Sequence, residues 1–110
     1  GKTSDETIKL IEDARAVEEA GAFCMVVEGV KAEVASEITA SVDIPVIGIG
    51  AGSGVDGQVL VFSDMLGLFE EFTPKFVKKY LDGASLVRGA MQQYSDEVKS
   101  GEFPQEIHTY

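Results

Sequence analysis

The sequence predicts an α/β protein built on a parallel sheet, and three features predict it. Amphipathic helical segments alternate with short apolar runs in the order helix, run, helix, run. The runs Ala22–Val27 and Ile44–Ile49 lack polar alternation, as strands buried on both faces do. The second run then dissolves into glycine, at positions 48, 50, 52, 54 and 57. A strand that ends in glycine lets backbone approach something closely, because glycine has no Cβ and reaches positive φ at little cost. In parallel α/β proteins ligands bind at the carboxyl ends of strands; a tight packing turn is the alternative reading of the same glycines.

The first helix is predicted from Thr3-x-x-Glu6, which has the form of a capping box with Ser4 as a competing cap. Ile8, Leu10, Ile11, Ala14 and Val17 follow at helical spacing, and Lys9, Glu12, Asp13, Arg15 and Glu18 fill the other face. Gly21 is the expected stop. The strand Ala22–Val27 then finishes on Glu28 and Gly29. A carboxylate at the end of a buried strand is out of place for packing alone. Burial would raise its pKa unless it is paired, and that suits proton transfer. The competing reading makes Glu28 the first solvated residue of a loop.

Val34, Ala35, Ile38 and Val42 mark a second amphipathic helix between Lys31 and Val42, and Pro45 enters the next strand where a missing N–H is tolerable. Only six residues separate Gly52 from the run Val59-Leu60-Val61-Phe62, fewer than a parallel crossover normally needs. The expectation here is a short helical turn over Ser53–Val59, with Asp56 as its N-cap, and then a strand through about Phe62. Asp64–Phe69 reads as an apolar loop that packs against another part of the protein. Pro74 after Thr73 predicts a helix to about Leu81, broken by Asp82-Gly83. Ser85 then caps a last helix to about Ser100, so helices are expected over about 74–100.

Gly48-x-Gly50-x-Gly52 is not the dinucleotide fingerprint, because Ser53 stands where the G-x-G-x-x-G spacing requires glycine. The lone histidine, His108, reads as a surface residue, and no His/Cys pair has metal-ligand spacing, so no metal site is proposed within the chain. A net charge of −10, from 19 acidic and 9 basic side chains, argues against nucleic-acid and anionic-membrane partners. Cys24 is the single cysteine and lies in an apolar run, which excludes an intrachain disulfide and suits a reducing, cytoplasmic setting. Gly1-Lys2-Thr3-Ser4 carries no apolar leader, so no signal peptide is expected, and the absent initiator Met suggests a piece of a longer protein.

One set of motifs extends the reading further. Ala20-Gly21-Ala22, Val26-Val27-Glu28, Ile44-Pro45-Val46-Ile47-Gly48-Ile49-Gly50-Ala51-Gly52, Asp56-Gly57-Gln58-Val59-Leu60-Val61, Asp64-Met65-Leu66-Gly67, Pro74-Lys75-Phe76 and Phe103-Pro104 with His108 occur in order along the chain. The whole set resembles the C-terminal portion of ketopantoate hydroxymethyltransferase, over essentially all 110 residues. The resemblance implies the C-terminal part of a (β/α)8 TIM barrel, about three parallel strands with their helices, in a single domain. It implies hydroxymethyl transfer from 5,10-methylenetetrahydrofolate to 3-methyl-2-oxobutanoate, giving 2-dehydropantoate in pantothenate biosynthesis. It also implies Mg2+, which would hold the keto acid and stabilise its enolate from ligands upstream of this chain, and a homo-oligomer acting on small molecules.

In the family the glutamate ending the Val-Val-Glu strand is the proton acceptor, which is Glu28 here. The family usually continues Glu-Cys-Val-Pro, whereas this chain has Glu28-Gly29-Val30-Lys31. Gly29 loosens the loop behind the base and Lys31 adds a charge near it. A (β/α)8 barrel takes roughly 250 residues, so the isolated chain is expected to be inert. Two other readings compete. One is a non-catalytic assembly module making contacts through Met65–Phe69 and the terminal helices. The other is a metal-dependent keto-acid barrel of the phosphoenolpyruvate mutase/isocitrate lyase group, against which Asp56-Gly57-Gln58 and the Phe103-Pro104 ending argue.

Overall fold

The computed structural model describes residues 2–110, which form two compact units. Residues 2–61 with 75–77 make the first, and residues 62–74 with 78–110 the second.

The first unit follows the predicted order. Helix α1 is Ser4–Glu19, strand β1 Met25–Glu28, helix α2 Ala32–Ser41, strand β2 Val46–Ile49 and strand β3 Gly57–Gln58. The three strands form one parallel sheet in the order β1-β2-β3. The α/β class with parallel strands is therefore as the sequence predicts.

Thr3 caps α1 through its hydroxyl, which accepts the Glu6 N–H at 3.2 Å. The return arm of the predicted capping box reaches one residue further back, where Glu6 Oε2 accepts the Lys2 N–H at 2.6 Å. Gly21, at φ 100°, stops the helix, with its N–H donated to the Glu18 carbonyl at 3.0 Å.

The core lies between the helices and one face of the sheet. Ala14 of α1, Val34, Ala35 and Ile38 of α2, then Val42, meet Val27 and Val46, with Ala51 closing the end. Val46 is completely buried, and burying a valine stabilises the fold by about 1.5–3 kcal/mol. The Glu18 carboxylate fixes the entry to β2 by accepting the N–H groups of Asp43 at 2.6 Å and Ile44 at 3.2 Å. Those residues lie far from Glu18 in sequence, and no local pattern announces the contact.

The expectation of a strand buried on both faces is corrected for β1, whereas every residue of β2 is buried or half-buried. Val27 is 8% exposed and its neighbour Val26 62%. Successive side chains of a strand point to opposite faces. The core helices of this unit cover the Val27 face, so Val26 and Glu28 stand together on the other, which is open at β1 but not at β2, where Ile49 beside Glu28 is buried.

The crossover after β2 is also corrected. No helical turn forms over Ser53–Val59, the third strand is Gly57–Gln58, and Val59–Val61 is irregular. The chain has to retrace only about three residues, roughly 10 Å, before Asp56 faces Val46. Seven residues, Gly50 to Asp56, reach up to about 24 Å when extended. A two-residue ladder thus needs no crossover helix.

In the second unit α3 is Phe62–Met65 and α4 is Gly83–Ser100, followed by a 3-10 turn at Glu106–His108. The stretch expected to be a wholly apolar loop, Asp64–Phe69, begins instead inside α3. No helix forms over Pro74–Leu81, where only a turn occurs at Lys75–Phe76. Backbone groups there bond to distant segments, as the Tyr80 N–H does to the Met65 carbonyl at 2.7 Å, so the helical ladder has lost its partners.

Gly83 opens α4 rather than breaking a helix. Its N–H donates to the Leu66 carbonyl at 2.8 Å, an approach that a Cβ would block. Asp82 therefore occupies the cap position predicted for Ser85.

Candidate active site

The parallel register brings the carboxyl ends of all three strands to one edge of the sheet. Glu28 stands opposite Ile49, and the Gly29 N–H donates to the Ile49 carbonyl at 3.0 Å. Past Ile49, Gly50 and Gly52 take φ of 64° and 81°, a left-handed backbone that side chains resist. The turn is also crowded. A Cβ on Gly50 would lie 2.6 Å from Cδ2 of Phe76, so the ring rests directly on bare backbone. Of the two readings of these glycines, packing accounts for Gly50. From β3, Gln58 reaches back and donates its Nε2–H to the Gly52 carbonyl at 2.7 Å.

These residues surround an open depression of about 760 Å3, lined by the Gly50–Ser53 turn, Val30, Ala32, Gln58, Lys75 and Phe76. Lys75 and Phe76 were expected on a helix, and their place here comes from the turn that replaces it. The motif Pro74-Lys75-Phe76 was the only signal in the sequence, and it carried no geometry.

Glu28 does not line this depression. It is exposed and borders a second one, about 500 Å3, that runs along the free edge of β1 with Leu10, Asp13, Val17 and Cys24. The burial expected of Glu28 is therefore absent from this chain. Lys31 forms no ion pair with it among the described residues. Asp56, expected to cap a helical turn, instead accepts the Val46 N–H at 2.8 Å. His108 lies in the second unit, where its Nδ1 accepts the Gln105 N–H at 3.0 Å and its ring packs 5.0 Å from that of Phe103.

Among the described residues no group of three or more His, Cys, Asp or Glu side chains could hold a metal ion, and the larger depression has no carboxylate. The donors needed by Mg2+ are oxygens, chiefly carboxylates, so the residues present do not fit the ion. Among the described residues no helix is long and apolar enough to cross a membrane.

Comparison with known proteins reaches the same family as the motifs. The family model described as ketopantoate hydroxymethyltransferase matches residues 1–106. The 3-methyl-2-oxobutanoate hydroxymethyltransferase of Sulfurimonas denitrificans is 76% identical over 110 residues, all of this chain and 42% of the relative. The protein of the same name from Wolinella succinogenes is 59% identical over 110 residues, again 42% of its length. That of Helicobacter pylori is 52% identical, over 41% of its length. The chain thus spans about two-fifths of the length of the curated relatives it matches.

Proposed function

The chain belongs to the ketopantoate hydroxymethyltransferase family, and from that premise we propose that it forms part of an enzyme converting 3-methyl-2-oxobutanoate to 2-dehydropantoate. The one-carbon donor is 5,10-methylenetetrahydrofolate, and the setting is the cytoplasm. Glu28 is the base. Its carboxylate takes the proton from C3 of the keto acid, and the enolate carbon attacks the donor's methylene carbon. One carbon–carbon bond forms and both bonds from that methylene to the two folate nitrogens break. A water molecule supplies the hydroxyl oxygen, and its remaining proton and the one taken by Glu28 go to the freed nitrogens as tetrahydrofolate leaves.

The observation that carries this reading is the position of Glu28. It ends a parallel strand, opposite Ile49, at the edge where the glycine turn begins, and such edges are where α/β enzymes place reacting groups. Its face of the sheet is the one turned away from the helices of this unit, which a closed barrel turns inward. We read the three strands as part of a (β/α)8 barrel. Three strands cannot close a barrel, so the remaining strands, and the ligands of any Mg2+, belong to chain outside this segment. The segment alone is inert.

Glu28→Gln, introduced into the complete enzyme, lowers kcat by about 10²–10⁴. It also stops exchange of the C3 deuteron of labelled keto acid with water, followed by NMR. Turnover within twofold of the unsubstituted enzyme would remove Glu28 from the role of base.

A homo-oligomer is part of the same reading. The exposed apolar residues of α4, Val87, Met91, Tyr94 and Val98, recur at spacings of four, three and four, as on a helix face that packs against another.

A further inference from the structure

We propose that the depression lined by Lys75, Phe76 and the Gly50–Ser53 turn holds the carboxylate-bearing aromatic end of the one-carbon donor, the p-aminobenzoylglutamate part of a folate. The proposal rests on the hydroxymethyl-transfer reading and specifies where its second substrate is held.

Charge selects an anion. The chain has 19 acidic and 9 basic side chains, yet the single formal charge lining the depression is the Lys75 ammonium. The ion pairs among the described residues are Lys9 with Asp13 and Arg88 with Glu70, so Lys75 is unpaired. The turn beside it adds neutral donors. Among the described residues no bond takes up the N–H groups of Gly52 or Ser53, or the Ser53 hydroxyl. Successive free amides at a glycine turn make a concave site for an anionic oxygen.

Shape selects an aromatic neighbour for that anion. Phe76 lies with its ring against Gly50, held where a Cβ would not fit, and the residue is still 40% exposed. A ring fixed from behind and open in front offers a stacking surface at little entropic cost. The depression, about 760 Å3, is of the size of small-molecule sites, about 300–1,000 Å3.

Position selects the donor over the keto acid. Glu28 does not line the depression. A five-carbon keto acid deprotonated by Glu28 must sit beside that carboxylate. A folate is long, and its glutamate lies a whole aminobenzoyl ring away from the carbon it gives up. Its far end can occupy a second site while its reactive end reaches the first.

The test uses the complete enzyme, with tetrahydrofolate binding by equilibrium dialysis and KM for both substrates. Lys75→Gln raises the tetrahydrofolate Kd and the donor KM about tenfold, the size of one charge-assisted contact. The KM for the keto acid stays within twofold, and Lys75→Arg restores most of the loss. As a probe, p-aminobenzoylglutamate competes with the donor and is weakened by Lys75→Gln, whereas p-aminobenzoate is not. A tenfold rise in keto-acid KM with the donor unaffected overturns the proposal in favour of the keto-acid carboxylate. No change for either substrate removes the depression as a site. If the unsubstituted enzyme fails to transfer hydroxymethyl groups but binds tetrahydrofolate in a Lys75-dependent way, the transfer reading falls and the folate site stands.

Discussion

Asp56 grips Val46 twice. Its Oδ2 accepts the Val46 N–H at 2.8 Å, and its own N–H donates to the Val46 carbonyl at 3.0 Å. Val46 opens β2 and is fully buried. One residue ten positions downstream therefore supplies both backbone partners of the first residue of the central strand. The side-chain bond makes good the donor that β3, only two residues long, is too short to reach.

Asp56→Ala leaves the Val46 N–H without a partner beside the core. The expected loss is about 1–3 kcal/mol, the cost of an unsatisfied buried donor. Asp56→Asn keeps an acceptor and loses less. Urea unfolding of the complete protein checks both, and equal effects of the two substitutions would remove the carboxylate from this role.

Gly50→Ala meets two penalties. It places a side chain at φ 64° and sets a Cβ 2.6 Å from the Phe76 ring, which must move. The expected destabilisation is about 1–3 kcal/mol. Phe76→Ala removes the ring from that contact, so the double substitution loses less than the two singles added together. A double-mutant cycle in urea measures the coupling.

The first turn of α1 carries an acid-sensitive bond. The Glu6 carboxyl is held below the usual glutamate range chiefly by the Lys2 N–H, against an opposing effect of desolvation, with the Thr3 N–H adding to the lowering. A lowered folded-state pKa means that the folded form binds the proton less readily than the unfolded one. The stabilisation is thus present above the ordinary glutamate value, about 4.3, and disappears as pH falls through the lowered one. An NMR titration should give a Glu6 midpoint below that of an unstructured glutamate. With Glu6→Gln the acid-dependent fraying of this turn, read from the Lys2 and Thr3 amides, should be gone.

Much of the first unit was legible because its determinants are local. Thr3 and Gly21 bound α1, the apolar spacing of Val34, Ala35 and Ile38 faces α2 to the sheet, and Pro45 marks the entry to β2. Glu28 was placed at a strand end by the same reasoning, since an apolar run that stops at a carboxylate and a glycine has few other readings. The second unit was less legible. Pro74 and the apolar residues after it have helical spacing, but the Tyr80 N–H has a stronger claim on it from Met65. Gly83 looked like a breaker because its fit against the Leu66 carbonyl involves residues seventeen positions apart.

By itself the sequence determined the family, the class of fold, the order of the first elements and the residue proposed as base. Each depends on the identity and spacing of neighbouring residues. Only the tertiary structure decided that β1 is open on one face, that β3 is two residues long and braced by Asp56, and that Lys75 and Phe76 border the glycine turn. Those features depend on which distant backbone groups find partners and where a missing Cβ lets two segments touch. Such contacts are selected among many near-equal possibilities by the packing of the whole unit, and no spacing along the chain encodes them.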